Sequence, residues 1–389
     1  MPIPMSSPDI NDQDRKAVWD VINTPLLSMG PKVLEFEDAI RDFVGTKHAI
    51  AVNSGTAGLH TIIRAEDIRD GDLVITTPFS FVASTNAILF ERAVPVFVDV
   101  DPRTGNMDVS QLKEAVADLR AGGGRAAKWL PRKNSGNGKL KAIMPIDVFG
   151  QPADYDLILK IAQDFDLTVI EDSCEALGAS YKGRLAGTFG KYGVFAFYPN
   201  KQITTGEGGI VVTNDDGKAD LIRALRNQGR APGDTWLSHT YLGYNYRLDE
   251  MSAALGSSQL TRIDELLSKR EKVAQWYSNA LEGISGIRIP EILPDTTRMS
   301  WFVYVIQVDE GKNRENLAKR LADRGVPVRP YFLPIHLQPY MIDLFEYRSG
   351  DYPQTEKLGK RGLALPFSSV MTRSQVEMVA DCLLKELAD

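Results

Sequence analysis

The chain has 389 residues, with 45 Lys and Arg against 51 Asp and Glu, a formal charge of −6. It holds only two cysteines, Cys174 and Cys382, and four histidines, His48, His60, His239 and His336. The acidic balance argues against a general nucleic-acid binder; two cysteines exclude a disulfide framework and a cysteine-only metal site; no histidine stands in a metal-ligand spacing, so no metal is expected.

The opening MPIPMSSPDINDQD lacks a basic start followed by an apolar run, and no apolar stretch approaches the ~20 residues of a membrane span. The expectation is a cytoplasmic protein with no membrane partner. Asn11 and Asp12 offer the cap of a first helix whose apolar face includes Val18 and Ile22. A second helix is predicted over 33–43, with Leu34, Phe36, Ile40 and Phe43 at helical spacing and Gly45 beyond its end. Then HAIAV, DLVITTP, VPVFVDV, AIMPIDVFG and LTVIEDS read as strands. The segments NSGTAGLHTIIRA, FVASTNAILF, 109–119 and ADYDLILKIAQDF between them read as helices. Strands alternating with helices, their apolar runs continuous, predict an α/β fold with a mostly parallel sheet covered on both faces.

From about residue 261 the pattern changes to a long charged helix over 263–281 and shorter pieces: FVYVIQV, a helix near 314–324, VPVRPYF, and a last helix over 373–387 capped by Thr372. The expected organisation is a large α/β domain over 1–260 and a smaller α+β domain over 261–389. The segment 120–141, RAGGGRAAKWLPRKNSGNGKLK, carries seven basic residues and no acid. Two readings stand for it: a solvated surface insertion, or a loop that helps hold an anionic substrate.

Three segments carry chemistry. Asn53-Ser54-Gly55-Thr56 joins a strand to a helix, where free backbone N–H groups bind phosphate; it is also an ordinary helix start. Asp172 ends the strand LTVIEDS, on the side where ligands of parallel sheets bind. It suits a metal ligand, a general base, the partner of a pyridinium nitrogen, or a simple turn cap. Lys201 follows the apolar run FAFYPN and precedes the tight, glycine-rich QITTGEGG. Most lysines are solvated, but burial favours the neutral amine, which forms Schiff bases. Together, an anion cradle, an acid and a lysine suit pyridoxal 5′-phosphate.

The chain resembles the DegT/DnrJ/EryC1/StrS family of nucleotide-sugar aminotransferases over nearly its whole length. The likeness runs through GPKVLEFEDAI, VNSGTAGLH, TPFSFVASTNAI, PVFVDVDP, FGQPADYD, IEDSCEALGA, FYPNKQITTGEGG, LGYNYRLDEMSAALG and RPYFLPIHLQP. It implies a fold-type-I aminotransferase that uses pyridoxal phosphate, with the pyridoxamine form as intermediate. Lys201 resembles the lysine that carries the cofactor and moves the proton. Asp172 looks like the ring-nitrogen partner, Gly55 and Thr56 like the phosphate cradle, and Phe81 like the aromatic stacked on the ring. Glu175 falls near the cofactor's 3-oxygen, where many members have Gln. Asn245 resembles a residue that reaches the neighbouring subunit's cofactor, which implies a homodimer with shared active sites. Arg329, Tyr331 and His336 fall where the family binds the sugar. Two further departures are Ala196, where many members have a phosphate-binding Ser, and Asp147, where many have His.

The implied reaction moves the amino group of L-glutamate, releasing 2-oxoglutarate, to a keto group of a nucleotide-linked deoxysugar for amino-sugar and surface-polysaccharide biosynthesis. The segments around Lys201 and His336 look most like the subgroup acting on a 4-keto-6-deoxyhexose such as GDP-4-keto-6-deoxymannose; UDP and dTDP sugars stay open. The alternatives are a sugar dehydratase of the same family, in which histidine replaces the lysine, and a non-catalytic regulatory protein that holds the cofactor. A desulfurase-type lyase would need a reactive cysteine, and Cys174 is poorly placed for that.

Overall fold

A computed structural model describes residues 3–388. Its centre is a seven-stranded sheet. The strand order is His48–Val52, Gly209–Thr213, Tyr192–Ala196, Thr168–Asp172, Leu140–Ile143, Leu73–Thr76 and Val94–Phe97. All run parallel except Gly209–Thr213, which pairs antiparallel with both neighbours. The sheet is therefore mixed and mostly parallel, as the alternation of apolar runs and helices predicts.

Alternate residues of each strand pack on opposite faces of this sheet, the two layers making up the first core, because side chains leave a strand on opposite faces. Ile50, Val194 and Val211 pack with Leu59, Ile62 and Ile63 of the helix Gly55–Ala65. Ala51, Phe195 and Ile210 pack on the other face with Phe36 and Ile40 of the helix Pro31–Val44. That face continues through Leu73, Ile75, Leu140 and Ile143, which meet Leu112, Tyr155 and Ile158. Each aliphatic side chain fully removed from water contributes about 1.5–3 kcal/mol, so burial on both faces is what makes these strands read as continuous apolar runs.

The second core lies on a four-stranded antiparallel sheet ordered Ile287–Arg288, Tyr304–Val308, Gly362–Leu365, Arg329–Pro330. The helices Arg314–Asp323 and Arg373–Ala388 cover it. The helix Ile263–Leu281 joins the two cores: Ile263, Leu266 and Leu267 enter the first, Val273, Ala274 and Tyr277 the second. Two late stretches cross back. Ile335, Met341 and Phe345 pack against the first sheet, while Ile3 packs in the second core.

Several expectations need adjustment. In the first helix, Asp12–Ile22, Asn11 caps as expected, but Ile22 is exposed and the buried residues are Val21 and Asp14. Asp14 is drawn in because its carboxylate accepts bonds from Ser258 Oγ at 2.6 Å, Gln259 Nε2 at 2.7 Å and Arg262 at 2.9 Å. Leu34 is likewise exposed. The run AIMPIDVFG is a strand only to Ile143; proline cannot donate to a ladder, and Val148–Gly150 turns as a single 3-10 turn with Phe149 at φ 58°. Of VPVRPYF, only Arg329–Pro330 pairs as a strand.

Candidate active site

The mixed sheet brings distant segments to one edge. Strands ending at Val52, Thr76, Asp172 and Ala196 all point their carboxyl ends to that edge, and the antiparallel strand begins there at Gly209. A cavity of about 550 Å³ opens at this edge. Ligands of open parallel sheets collect at such ends because loops and helix N-termini converge there.

Ser54 caps the helix Gly55–Ala65, its Oγ accepting from Ala57 N–H at 3.1 Å. Gly55 and Thr56, in the first turn of the helix where amides lack intrahelical partners, line the cavity. Gly55 is required by close approach: a Cβ there would lie 2.8 Å from Cys174 Sγ and 2.9 Å from Ala196 Cβ. Gly209 is required too, since its Cβ would stand 2.5 Å from the Ser54 carbonyl.

Asp172 is buried at the end of its strand. One carboxylate oxygen accepts from Ser84 Oγ at 2.6 Å, the other from Cys174 N–H at 3.3 Å. Beneath it, the fully buried Asp147 accepts from Ser173 Oγ at 2.6 Å, Tyr155 OH at 2.7 Å and Ala153 N–H at 2.9 Å. Burial pushes Asp147 up to about 6 despite these bonds. Glu171, one residue before Asp172, is pushed up to about 8 by burial and then by the Asp147 charge.

Lys201 follows the strand Tyr192–Ala196 and points its Nζ into the cavity, 3.8 Å from the Phe302 ring centroid and 3.8 Å from Glu175 Oε1. Glu175 is buried; its Oε2 accepts from Phe149 N–H at 2.9 Å. Burial raises Glu175 to about 7, with the Lys201 charge and the Phe149 bond opposing. Cys174 also borders the cavity, but burial and then the Asp172 charge push its thiol well up. That disfavours the thiolate a nucleophile needs.

Of the expected residues, Gly55, Thr56, Phe81, Asp172, Glu175, Lys201 and Tyr331 line this one cavity. Phe81 stands at its mouth, 64% exposed. Three others lie outside its walls. Asn245 is exposed, in a bridge with Asn227, and among the described residues its carbonyl alone is bonded, by Asn53 Nδ2 at 3.4 Å. Arg329 is exposed on its strand, bonded to the Val328 carbonyl. His336 is fully buried, Nε2 3.0 Å from Glu356 Oε1 and its ring 4.8 Å from that of Tyr352. Among the cavity residues that escaped sequence reasoning are Ser84 and Phe302. Ser84 sits in the quoted TPFSFVASTNAI motif, so its position was visible though its bond was not. Phe302 lies a hundred residues after Lys201 and carries no local signal.

The basic segment 120–141 contributes nothing to these walls. It folds over the far side as a short helix, Gly123–Ala127, and a strap. Lys128 pairs with Glu114, and Arg132 grips Asp351 with two bonds of 2.6 and 2.7 Å. Lys133 N–H donates to the Phe345 carbonyl. These contacts favour the surface-insertion reading over the anion-holding one. Among the described residues no group of acids, histidines and cysteines is arranged to hold a metal, and no helix is long and apolar enough to cross a membrane.

Residues 8–384 match the DegT/DnrJ/EryC1/StrS aminotransferase family. A GDP-perosamine synthase from Caulobacter vibrioides is 36% identical, over 97% of this chain and 96% of its own. The putative pyridoxal phosphate-dependent aminotransferase EpsN from Bacillus subtilis is 35% identical, over 98% and 94%. Among solved structures, Helicobacter pylori PseC, an aminotransferase of pseudoaminic acid biosynthesis, superposes with a TM-score of 0.90 at 29% identity, covering all of both chains.

Proposed function

This chain belongs to the DegT/DnrJ/EryC1/StrS aminotransferase family, and on that premise we propose that it moves the amino group of L-glutamate to the keto group of a nucleotide-linked 4-keto-6-deoxyhexose. One observation carries the reading: Lys201, Asp172 and the Gly55–Thr56 turn, far apart in sequence, meet in one cavity of about 550 Å³.

Those residues fit pyridoxal 5′-phosphate. The bare backbone at Gly55, which no side chain can replace without striking Cys174 or Ala196, suits the phosphate beside a helix N-terminus. Ala196 offers no hydroxyl there, so backbone amides and the Thr56 side chain would carry that end. Asp172, held by Ser84 and the Cys174 amide, suits a protonated ring nitrogen. Lys201 is the amine for the aldehyde carbon. When bound, the cofactor supplies an electron sink for the pair left when a Cα–H bond breaks. Lys201 then holds and returns the proton, with Phe302 and Glu175 setting where its Nζ stands. Tyr331 and Phe81 border the mouth where a sugar would enter.

The preference for a 4-keto sugar is supported by the name of the Caulobacter relative and by the segments around Lys201 and His336. A working dimer is supported by the exposed Asn245, free to reach a second copy, and by the apolar loop beside it, where Trp236, Leu237 and Leu242 are 73%, 84% and 78% exposed. The test is a panel of GDP-, UDP- and dTDP-linked keto sugars with L-glutamate, the product identified by mass and by the position of its amino group. A 4-amino-6-deoxyhexose is expected. If glutamate leaves the cofactor's spectrum unchanged, the protein is a binder and the reading fails.

A further inference from the structure

Arg270 is 2% exposed, on the helix Ile263–Leu281 that joins the two cores. The four hydrogen bonds it makes among the described residues all go to backbone carbonyls, and burial lowers its guanidinium to about 10. A buried cation without a counter-ion is costly, and a methionine would fill the space without that cost. Something must therefore use its donors.

Its two terminal nitrogens reach four carbonyls in two segments, while its buried Nε finds no partner among the described residues. One nitrogen reaches Trp301 at 3.0 Å and Phe302 at 3.3 Å; the other reaches Asn200 at 3.0 Å and Lys201 at 2.5 Å. Trp301 adopts φ 52°, a left-handed conformation that is uncommon for a bulky residue. The contacts close a ring around the lysine. Lys201 Nζ faces Glu175, Glu175 accepts from Phe149 N–H, and the Phe149 carbonyl accepts from Phe302 N–H at 3.1 Å. The Phe302 carbonyl then meets Arg270, which returns to the Lys201 carbonyl. The Phe302 ring stands inside that ring, 3.8 Å from Nζ.

We propose that Arg270 is a positioning residue for Lys201: its planar fork fixes the lysine backbone against the Phe302 backbone and so sets where the amine meets the cofactor. Lysine, a single point charge, cannot serve four carbonyls from two segments as well. The inference rests on the pyridoxal phosphate reading above.

The test compares two forms of the cofactor. Pyridoxal 5′-phosphate needs the Lys201 amine for tight binding; pyridoxamine 5′-phosphate does not. Dissociation constants for both are measured on wild type, Arg270→Met, Arg270→Lys and Phe302→Leu by quenching of tryptophan fluorescence, with circular dichroism to establish folding. In Arg270→Met the aldehyde form is expected to bind at least about tenfold more weakly and the amine form within about twofold of wild type. Arg270→Lys and Phe302→Leu should fall between. If Arg270→Met does not fold, Arg270→Lys decides alone: a selective loss of about threefold or more supports the role. Equal losses for both forms, or none, overturn it and leave Arg270 a structural clasp. Wild-type protein that binds neither form overturns the cofactor reading instead.

Discussion

Ser84 Oγ donates to Asp172 at 2.6 Å, and the same hydroxyl lies 3.0 Å from Ser80 Oγ. All three residues are buried, so the orientation of the carboxylate is set by a short relay that water cannot replace. A hydrogen bond to a charged group contributes about 1.5–3 kcal/mol. Ser84→Ala should lower kcat/KM about tenfold or more while leaving the protein folded. Asp172→Asn, which removes the charge itself, should lose more, on the order of 10²–10⁴. Steady-state kinetics of both variants check the order; an inactive Ser84→Ala beside an active Asp172→Asn would reverse it.

Lys201→Ala should abolish turnover, since a positioned acid–base group is worth on the order of 10²–10⁴ in rate and no other amine lines the cavity among the described residues. The variant should still bind pyridoxamine 5′-phosphate, which needs no lysine. Full activity in it would remove the lysine from the reaction.

Glu175 predicts a pH dependence of stability. Its folded value is raised from 4.5 to about 7. Between those values the unfolded chain has lost the proton and the folded protein keeps it, so folding stability falls as pH rises from about 4.5 to 7 and levels off above. Glu171, raised to about 8, and Asp147, raised to about 6, act in the same direction. Glu66, lowered to about 2 by Tyr192, Lys191 and Lys218 against its own burial, acts oppositely but only below about 4.5. In cofactor-free protein, Glu175→Gln should therefore gain stability over wild type on going from pH 5 to 8, by up to about 3 kcal/mol. Urea unfolding at several pH values measures it; parallel curves for the two proteins would contradict the buried acid.

The strap 120–141 predicts the opposite of a substrate loop. Arg132 and Asp351 form a partly exposed pair, the arginine side chain 43% accessible. Arg132→Ala should cost no more than about 1 kcal/mol in stability and leave KM for both substrates within about twofold. A rise in KM for the nucleotide sugar alone would restore the anion-holding role.

The strands and helices of the first core were legible because burial on both faces writes unbroken apolar runs, and because caps such as Asn11 and Gly45 sit at the ends they signal. That Lys201, Asp172 and Gly55 meet at one sheet edge was legible because Asp172 ends a strand and the other two lie in the turns that follow strand ends. Ile22, Leu34 and Asp14 were not: their burial depends on what the helix Glu250–Leu260 places opposite, and Asp14 goes inward only because Ser258, Gln259 and Arg262 receive it. Arg270 and Phe302 were hidden for the same reason. Their meaning comes from a contact across the join between two cores, and no period within either segment encodes it. The basic strap left two readings open, since composition cannot reveal that Glu114 pairs with Lys128 and Asp351 with Arg132.

Asn245 offers the sharpest test of the dimer. Tyr244 and Tyr246 on either side of it are tied down, Tyr244 OH to Glu91 at 2.8 Å and Tyr246 OH to His60 Nδ1 at 3.0 Å, so the exposed Asn245 side chain is presented on a fixed base. If it serves the cofactor of a second copy, Asn245→Asp puts a negative charge beside that copy's phosphate and inactivates it, while Lys201→Ala inactivates its own site. Mixed and re-associated, the two inactive proteins form heterodimers in which one site carries both lesions and the other neither. Random pairing makes half of the dimers mixed, each with one intact site, so about a quarter of wild-type activity should return. If each chain builds its site alone, mixing restores nothing beyond the sum of the two separate proteins.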